Sequence, residues 1–351
     1  MIRKATFWIG SLLCVGLVGT LSTPAQAQTT RSRTRSSATA AARRKTAAKP
    51  ATSARQRTLI AKAVATAREM ADTVTPRYKV DASGDLVPDL RAAAAIIYDP
   101  ETNHVLWEEN STDQRSIASI TKVMTATVFL ENNPDMTQAV TIARSDVYQA
   151  STTKLRLNDK VTADDLLHLL LIASDNAAAR ALARVSPYGT VGFIRRMNEK
   201  AAELGLENTH YADPSGLLSD NISSAYDMAR LITHASNDDR IGSIMRMSDY
   251  TVHSKRREIH FRSTNHLLGR QDLEVRAGKT GFISKSGYCL ATLLRLPQSG
   301  QEVAVVVLGA RSNAGRFMEV QNLFNWLSTK ATTVFATRTP VGLSNQQQQQ
   351  Q

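Results

Sequence analysis

Apolar and polar residues follow one another along this chain in three successive patterns: strand-like, then helical, then strand-like again. Apolar positions at 93–99 and 104–109, joined by a turn at 100–103, predict two strands. Helical spacing then predicts five helices, at 119–130, 162–171, 176–185, 190–204 and 224–236. Apolar runs predict three more strands at about 272–280, 287–297 and 302–310, and a last helix at 314–327. Because strands lie at both ends of this block, the sequence predicts an α/β (α+β) domain. Its sheet has about five strands from both ends of the block, flanked by helices, and the domain carries an inserted helical lobe.

The first residues predict an exported protein. Arg3 and Lys4 precede an apolar run at 7–21, and Ala25-Gln26-Ala27 has the small-x-small pattern of a signal-peptidase site. We therefore predict a signal peptide over 1–27 and a periplasmic or cell-envelope location. A retained membrane anchor is the alternative, but the apolar run is short for a bilayer span. Cleavage would leave Cys289 alone, which excludes an intramolecular disulfide.

Positive charge is concentrated in one segment. The chain has a net charge of +12, of which Arg3 and Lys4 contribute +2, residues 28–79 contribute +11 and residues 80–351 contribute −1. Small and polar residues dominate the start of that segment, so we predict a basic disordered arm over 28–79 with a helix at 53–73. It is either a solvated linker or an electrostatic contact to anionic membrane lipids or wall polymers. Nucleic acid is not an expected partner, because predicted export argues against it and the start of the arm, 28–52, has no aromatic residue.

The remaining chain divides into a catalytic domain and a tail. Residues 80–330 contain every predicted strand and all the candidate chemistry, with a nearly neutral charge balance. Residues 331–351 are predicted to be a polar C-terminal tail, and the glutamine-rich stretch 344–351 within it carries no structural signal.

A serine and a lysine three positions apart are the strongest chemical signal. Ser119 and Lys122 lie one helical turn apart, so the lysine amine can reach the serine hydroxyl. The following segment, 123–130, is apolar and would bury the lysine, and burial favours the neutral amine that a base must be. The pair is therefore a candidate nucleophile and general base.

Three short motifs each occur twice, and their surroundings separate the copies. The candidates are Ser119–Lys122, Ser174-Asp175-Asn176 and Lys279-Thr280-Gly281, and the second copies are 151–154, 219–221 and 285–287. The first candidate begins an apolar helix, the second follows one, and the third closes a predicted strand. The second copies lie in polar or turn-forming segments, which predicts ordinary loop chemistry for them.

These three motifs, in this order, are the set typical of penicillin-binding proteins and class A β-lactamases. The flanks of the motifs, at 115–126, 173–176, 261–268, 279–282 and 287–290, make the resemblance more specific. Residues 88–329 resemble the low-molecular-mass penicillin-binding proteins, the D-alanyl-D-alanine carboxypeptidase and endopeptidase family. The resemblance implies a β-lactamase/transpeptidase-like fold, in which the sheet is mainly antiparallel. It also implies peptidoglycan stem peptides as substrates and β-lactams as covalent inhibitors, with no cofactor and no metal.

Residue roles follow from the resemblance alone. It implies that Ser119 attacks the penultimate carbonyl, that Lys122 takes the serine proton and that Ser174 relays a proton to the leaving amine. For substrate binding it implies Asn176, Lys279, Thr280, Gly281, Phe282 and Arg316. Asn176 would bind a substrate amide or orient the lysine base, and Thr280 would bind the substrate carboxylate. Backbone N–H groups of Ser119 and Phe282 would form the oxyanion hole.

The resemblance leaves two activities possible, because the family contains both carboxypeptidases and endopeptidases. The segment 261–268 resembles endopeptidases, whereas Gly309-Ala310-Arg311 with Arg316 resembles carboxypeptidases, in which the arginine at the Arg316 position helps hold the terminal carboxylate. We expect a serine-type D-Ala-D-Ala carboxypeptidase, with endopeptidase as the alternative. A β-lactamase is less expected, because no Glu-x-x-Leu-Asn segment is present. A scaffold with a dead site is disfavoured by the intact motifs.

Overall fold

The computed structural model describes residues 54–254 and 257–336. Its helices are α1 (Ala54–Val74), α2 (Thr121–Leu130), α3 (Arg144–Val147), α4 (Ala163–Leu171), α5 (Asn176–Val185), α6 (Gly189–Glu203), α7 (Ala225–Ser236), α8 (Asp239–Met245) and α9 (Asn313–Ala336). Its strands are β1 (Tyr78–Val80), β2 (Leu86–Pro88), β3 (Ala94–Asp99), β4 (His104–Glu109), β5 (Arg115–Ser116), β6 (Ala139–Thr141), β7 (Lys160–Thr162), β8 (Ile222–Ser223), β9 (Asp249–Ser254), β10 (Arg257–Arg262), β11 (Glu274–Ile283), β12 (Gly287–Arg295) and β13 (Glu302–Ala310).

The central sheet joins the two ends of the domain. It has five strands in the order β11-β12-β13-β3-β4, and every neighbouring pair is antiparallel. Strands from the beginning and the end of the domain meet where β13 pairs with β3, with Val306 opposite Ile96. The predicted fold class is confirmed. Strand β11 lies at one edge, so the outer side of its backbone is left for other partners.

Both faces of the sheet are buried, which explains the continuous apolar runs of its central strands. In β13, Val306 and Leu308 belong to one core, and Val305 and Val307 belong to the other. The first core lies between the sheet and the helical lobe. The second includes the apolar side of α9, formed by Phe317, Val320, Leu323, Phe324 and Leu327. The helix and the lobe thereby hold the sheet from opposite sides.

Helix α2 occupies the centre of the helical lobe, and nine of its ten residues are buried. Its neighbour α4 begins with the predicted capping box. The Asp165 N–H donates to Thr162 Oγ1 at 3.0 Å, and the Thr162 N–H donates to Asp165 Oδ2 at 2.9 Å. These bonds satisfy backbone donors that the first helical turn would otherwise leave unpaired.

Two element boundaries differ from the sequence prediction. Strand β11 continues through Lys279-Thr280-Gly281 to Ile283, so this motif lies inside a strand and does not close one. Helix α9 continues to Ala336, so it is longer than the predicted helix at 314–327 and includes the first six residues of the predicted polar tail. Once a helix is nucleated, each added residue is inexpensive, and no glycine or proline lies between Phe317 and Pro340 to stop it.

A hairpin was not predicted at all. Strands β9 and β10 pair antiparallel, with Val252 opposite Ile259. Their apolar residues alternate with charged ones, and this pattern was the available signal. The predicted signal peptide, the arm up to residue 53 and the tail beyond residue 336 lie outside the described residues. Within the described ranges, no helix has both the length and the apolar character needed to cross a bilayer.

Candidate active site

Ser119 lies in a strained turn that glycine makes possible. It is the middle residue of the 3₁₀ turn Ala118–Ile120, and Ala118 before it has a φ of +48°. The turn packs against Gly216, which has a φ of +79°. A Cβ atom on Gly216 would lie 2.0 Å from the carbonyl oxygen of Ala118. Only glycine can therefore bring the backbone at position 216 against the serine turn.

Three oxygen atoms surround the amine of Lys122. Its Nζ lies 2.9 Å from Ser119 Oγ, 2.6 Å from Asn176 Oδ1 and 2.5 Å from the carbonyl oxygen of Ser215. The amide and carbonyl oxygens can only accept hydrogen bonds, whereas the serine hydroxyl can also donate. A neutral amine with two hydrogens therefore satisfies the two obligate acceptors and points its lone pair at Ser119. This is the geometry that a general base requires.

Burial makes the neutral form of Lys122 accessible. The side chain is fully buried, and desolvation lowers its pKa from 10.5 to about 7. The carboxylates of Asp213 and Asp175 act in the opposite direction, and the cation of Arg180 adds to the lowering. At neutral pH the amine is thus close to its midpoint of protonation.

Asp175 explains how the Ser174-Asp175-Asn176 motif holds its shape. Its carboxylate caps α5 by accepting the N–H of Ala178 at 3.0 Å, and it also accepts the Thr153 hydroxyl at 2.9 Å. Asn176 is then the first residue of α5, and its Nδ2 donates to the carbonyl of Ala150 at 2.7 Å. That bond turns Oδ1 of the same amide towards Lys122. Ser174 has a φ of +59°, a sparsely populated backbone conformation.

The Lys279-Thr280-Gly281 motif in β11 contacts the Ser174-Asp175-Asn176 motif, although 105 residues separate Lys279 from Ser174. Lys279 is buried, and its Nζ lies 2.7 Å from Ser174 Oγ and 3.0 Å from the carbonyl oxygen of Thr280. Burial lowers the pKa of Lys279 well below its usual value, and the positive charges of Lys122 and Arg316 lower it further. A second lysine is therefore also held in an environment that disfavours its charge.

Gly281 lets β11 approach the serine turn closely. A Cβ atom at this position would lie 2.5 Å from the carbonyl oxygen of Ile117 and 3.2 Å from the backbone nitrogen of Ser119. The next residue, Phe282, is 48% exposed, and its ring stacks on Tyr288 with centroids 4.2 Å apart. The backbone of the edge strand therefore runs directly beside the serine N–H.

A cleft of about 520 Å³ brings the predicted residues together. Its walls include Ser119, Ser174, Asn176, Thr280, Gly281, Phe282 and Arg316. Lys122 and Lys279 lie beneath it, hydrogen-bonded to two of its serines. Ser151, from the second copy of the serine–lysine motif, also lines the cleft, but its Lys154 is exposed. Among the described residues, no three His, Cys, Asp or Glu side chains are grouped as a metal ion would need.

Two parts of the site were not found from the sequence. Thr264 lines the cleft, and its hydroxyl lies 2.6 Å from that of Thr280. It falls within the segment 261–268, which was noted only for its resemblance. The loop 213–218, which precedes the second motif copy at 219–221, is the other part, and no pattern in the sequence singles it out. In the fold, Asp213 accepts the N–H groups of Ser215 and Gly216 at 3.1 and 3.0 Å, and so shapes the loop that touches both Lys122 and the serine turn.

Fold and site together define the class of penicillin-recognising serine enzymes. The family model described as D-alanyl-D-alanine carboxypeptidase, peptidase S11, matches residues 81–312, so the chain belongs to this family. It is 33% identical over 246 residues to a D-alanyl-D-alanine endopeptidase of Escherichia coli, which covers 69% of this chain and 79% of that protein. Relatives named D-alanyl-D-alanine carboxypeptidase match at 28 to 30% identity.

Solved structures agree with this assignment. The DD-transpeptidase of Streptomyces K15 superposes with a TM-score of 0.64 at 27% identity, covering 71% of this chain and 98% of that one. Penicillin-binding protein D2 of Listeria monocytogenes, solved in a cefotaxime-bound form, gives a TM-score of 0.59 at 29% identity over 68% of this chain and 97% of that one. The protein is thus a serine-type D-alanyl-D-alanine peptidase of the low-molecular-mass penicillin-binding class, with a function in peptidoglycan.

Proposed function

We propose that Ser119 is the nucleophile and Lys122 its general base. Lys122 accepts the hydroxyl proton as Ser119 Oγ bonds to the penultimate carbonyl carbon of a stem peptide. The carbonyl oxygen becomes an oxyanion between the N–H groups of Ser119 and Phe282. When the intermediate collapses, the C–N bond breaks and Ser174 relays a proton to the leaving amine. The observation that carries this proposal is the 2.9 Å contact between a serine hydroxyl and a buried amine with a pKa of about 7.

Substrate binding in this proposal uses the wall of the cleft formed by β11. The hydroxyls of Thr280 and Thr264 accommodate the carboxylate of the leaving residue, and Asn176 binds a substrate amide. Lys279 lies beneath them, and a bound carboxylate would favour its charged form. Water then hydrolyses the ester and restores Ser119.

A β-lactam should be attacked at the same serine and then remain attached. The sequence has no Glu-x-x-Leu-Asn segment, in which class A β-lactamases carry the glutamate that activates the deacylating water. Glu203 on α6 is instead paired with Arg196 and Lys200. We therefore expect penicillin to inhibit the enzyme covalently and nitrocefin to be turned over slowly.

Labelling with a fluorescent penicillin tests the nucleophile. Wild-type protein should be labelled at Ser119, the Ser119→Ala variant should not be labelled, and Ser151→Ala should label like wild type. Peptide mapping by mass spectrometry identifies the modified serine. Attachment at Ser151, or labelling that survives Ser119→Ala, would remove the basis of the proposal.

Which peptide bond the enzyme prefers depends on how the cleft binds the leaving group. We propose carboxypeptidase activity because the hydroxyls of Thr280 and Thr264, with the Lys279 amine beside them, offer a free carboxylate a binding site on the cleft wall. Arg316 also lines the cleft, with its guanidinium hydrogen-bonded to protein oxygens. Endopeptidase activity is the second candidate. The relatives that match with higher identity carry that name, and the cleft is open at the exposed Phe282.

Product analysis separates these two activities. Purified protein is given a pentapeptide stem and a cross-linked muropeptide dimer, with Ser119→Ala as the inactive control. Loss of one D-alanine from the pentapeptide, detected by mass spectrometry, identifies the carboxypeptidase. Conversion of the dimer to monomers, with the pentapeptide unchanged, identifies the endopeptidase and overturns our preference.

For location, we propose export to the periplasm or cell envelope, with the basic arm contacting an anionic surface. Helix α1 supports a lipid surface, because Leu59, Ile60 and Val64 are 55 to 62% exposed on one side of it. The same helix carries the basic residues Arg55, Arg57, Lys62 and Arg68. Mature protein should sediment with phosphatidylglycerol vesicles but not with phosphatidylcholine vesicles. A variant with all three exposed apolar residues changed to serine should stay in solution, and unchanged sedimentation would contradict the lipid contact.

A further inference from the structure

Arg316 is a buried cation whose position calls for a function. It lies in the first turn of α9 and is 6% exposed. Its guanidinium carbon lies 4.9 Å from the ring centroid of Phe317 and 5.6 Å from that of Tyr288. Burying a charge is unfavourable unless hydrogen bonds and neighbouring rings compensate it. The hydrogen-bond partners of this guanidinium therefore indicate the role of Arg316.

Those partners are mainly backbone oxygens of the sheet edge. Nη1 donates to the carbonyl oxygen of Gly281 at 2.9 Å and to that of Cys289 at 3.2 Å. Nη2 donates to Asn313 Oδ1 at 2.5 Å, in the same turn of α9, and Nε has no hydrogen-bond partner. Most of the donors are thus already engaged by protein oxygens before any substrate arrives.

The two carbonyls reveal how the edge strand is oriented. Gly281 of β11 lies opposite Cys289 of β12. One nitrogen can reach both oxygens only if both point into the space between these strands, as in a hydrogen-bonded antiparallel pair. In a trans peptide the N–H points opposite to the C=O, so the N–H of Phe282 points away from β12. Because β11 is the edge of the sheet, that N–H faces the cleft, on the side where Ser119 N lies.

We propose that Arg316 is a positioning residue of the oxyanion hole, acting through the Gly281–Phe282 peptide. By fixing the Gly281 carbonyl it fixes the direction of the Phe282 N–H that receives the oxyanion. A charge-assisted hydrogen bond to the carbonyl also polarises the peptide, which makes its N–H a stronger donor. This inference rests on the roles proposed above for Ser119 and Phe282. It differs from direct carboxylate binding, because the effect of Arg316 would not depend on the leaving group.

Two acyl donors distinguish positioning from carboxylate binding. One is an N-acylated tripeptide ending in D-alanyl-D-alanine, and the other is the same tripeptide with a carboxyl-terminal amide. Rate constants for acylation and KM are measured for wild type, Arg316→Met, Arg316→Lys and the control Arg311→Met. Arg311 is exposed and lies five residues away, so this control removes the same charge without touching Gly281.

Positioning predicts that Arg316→Met lowers the acylation rate constant of both donors by a similar factor, about 10- to 100-fold, with little change in KM. Arg316→Lys should recover part of the rate, because an ammonium can reach one of the two carbonyls. Arg311→Met should behave as wild type. Thermal unfolding is followed in parallel, and the Lys variant serves as the test if the Met variant does not fold.

Two results would overturn the inference. One is a rate defect confined to the donor with a free carboxylate, which would assign Arg316 to leaving-group binding. The other is an unchanged rate with both donors. Failure of the proposed function looks different, because wild-type protein would then not be acylated at Ser119 by either donor or by penicillin.

Discussion

The buried amine of Lys122 makes the pH dependence of acylation a direct test of the proposed mechanism. With a pKa of about 7, half of the enzyme has a neutral base at pH 7. The neutral fraction falls to about one tenth at pH 6 and rises to about nine tenths at pH 8. A lysine at the ordinary value would be neutral in only about three molecules per ten thousand at pH 7. The lowered pKa therefore increases the concentration of the neutral base at pH 7 about 1,600-fold, equivalent to about 4 kcal/mol.

The assay is single-turnover labelling of Ser119 by a fluorescent penicillin between pH 5 and pH 9. Because the deprotonated amine is the active form, the rate should rise about tenfold per pH unit below the pKa and level off above it. The Asp213 carboxylate raises the pKa of Lys122. Asp213→Asn keeps an acceptor oxygen but removes the charge, so its rising limb should move to lower pH.

Two outcomes would refute this account. A rising limb centred near the ordinary lysine value would mean that Lys122 is not desolvated when it acts. A limb that moves to higher pH in Asp213→Asn would mean that the group being titrated is not a cation near this carboxylate. Labelling stoichiometry at the plateau serves as the control for folded, active protein.

Further predictions concern stability and the proton relay. The folded pKa of Lys122 lies below its unfolded value, so the penalty for its charge is fully present below about pH 7 and is relieved as pH rises towards 10.5. In urea denaturation, the free energy of unfolding of wild type should rise across that window, and Lys122→Met should show a smaller rise because it removes the titrating amine. Equal slopes of stability against pH in the two proteins would count against a buried amine. Gly216→Ala should lower the free energy of unfolding by at least about 2 kcal/mol and abolish most acylation, because its Cβ would lie 2.0 Å from a backbone oxygen. Gly84→Ala is the control, because Gly84 has a similar positive φ but open space around it, so this variant measures the backbone strain alone. Ser174→Ala should lower the rate of peptide hydrolysis about 10²- to 10⁴-fold, whereas the control Ser151→Ala should lower it less than about twofold. Similar losses in the two variants would argue against a specific proton relay through Ser174.

Much of the fold could be read from local pattern. The capping box at Thr162 and Asp165 and the apolar runs of the central strands depend on residues within one or two turns of each other, and the structure contains them where expected. The β9–β10 hairpin was missed although its residues alternate, because β9 buries only one side chain and β10 only two, so the apolar signal in each strand is short. The length of α9 was underestimated because helix propagation needs no apolar residue once the helix is packed.

The sequence by itself determined which residues can do chemistry here. Ser119 and Lys122 are three positions apart on one helical face, and the apolar residues after them ensure burial. Tertiary structure alone decided what those groups contact. Lys279 contacts Ser174 although 105 residues separate them, and the carbonyl of Ser215 accepts a hydrogen bond from Lys122. Arg316 of α9 donates to the carbonyl of Gly281 in β11. Periodicity reports contacts within a few residues of the chain, whereas these contacts and the pKa values they set exist only after the sheet and the lobe have packed together.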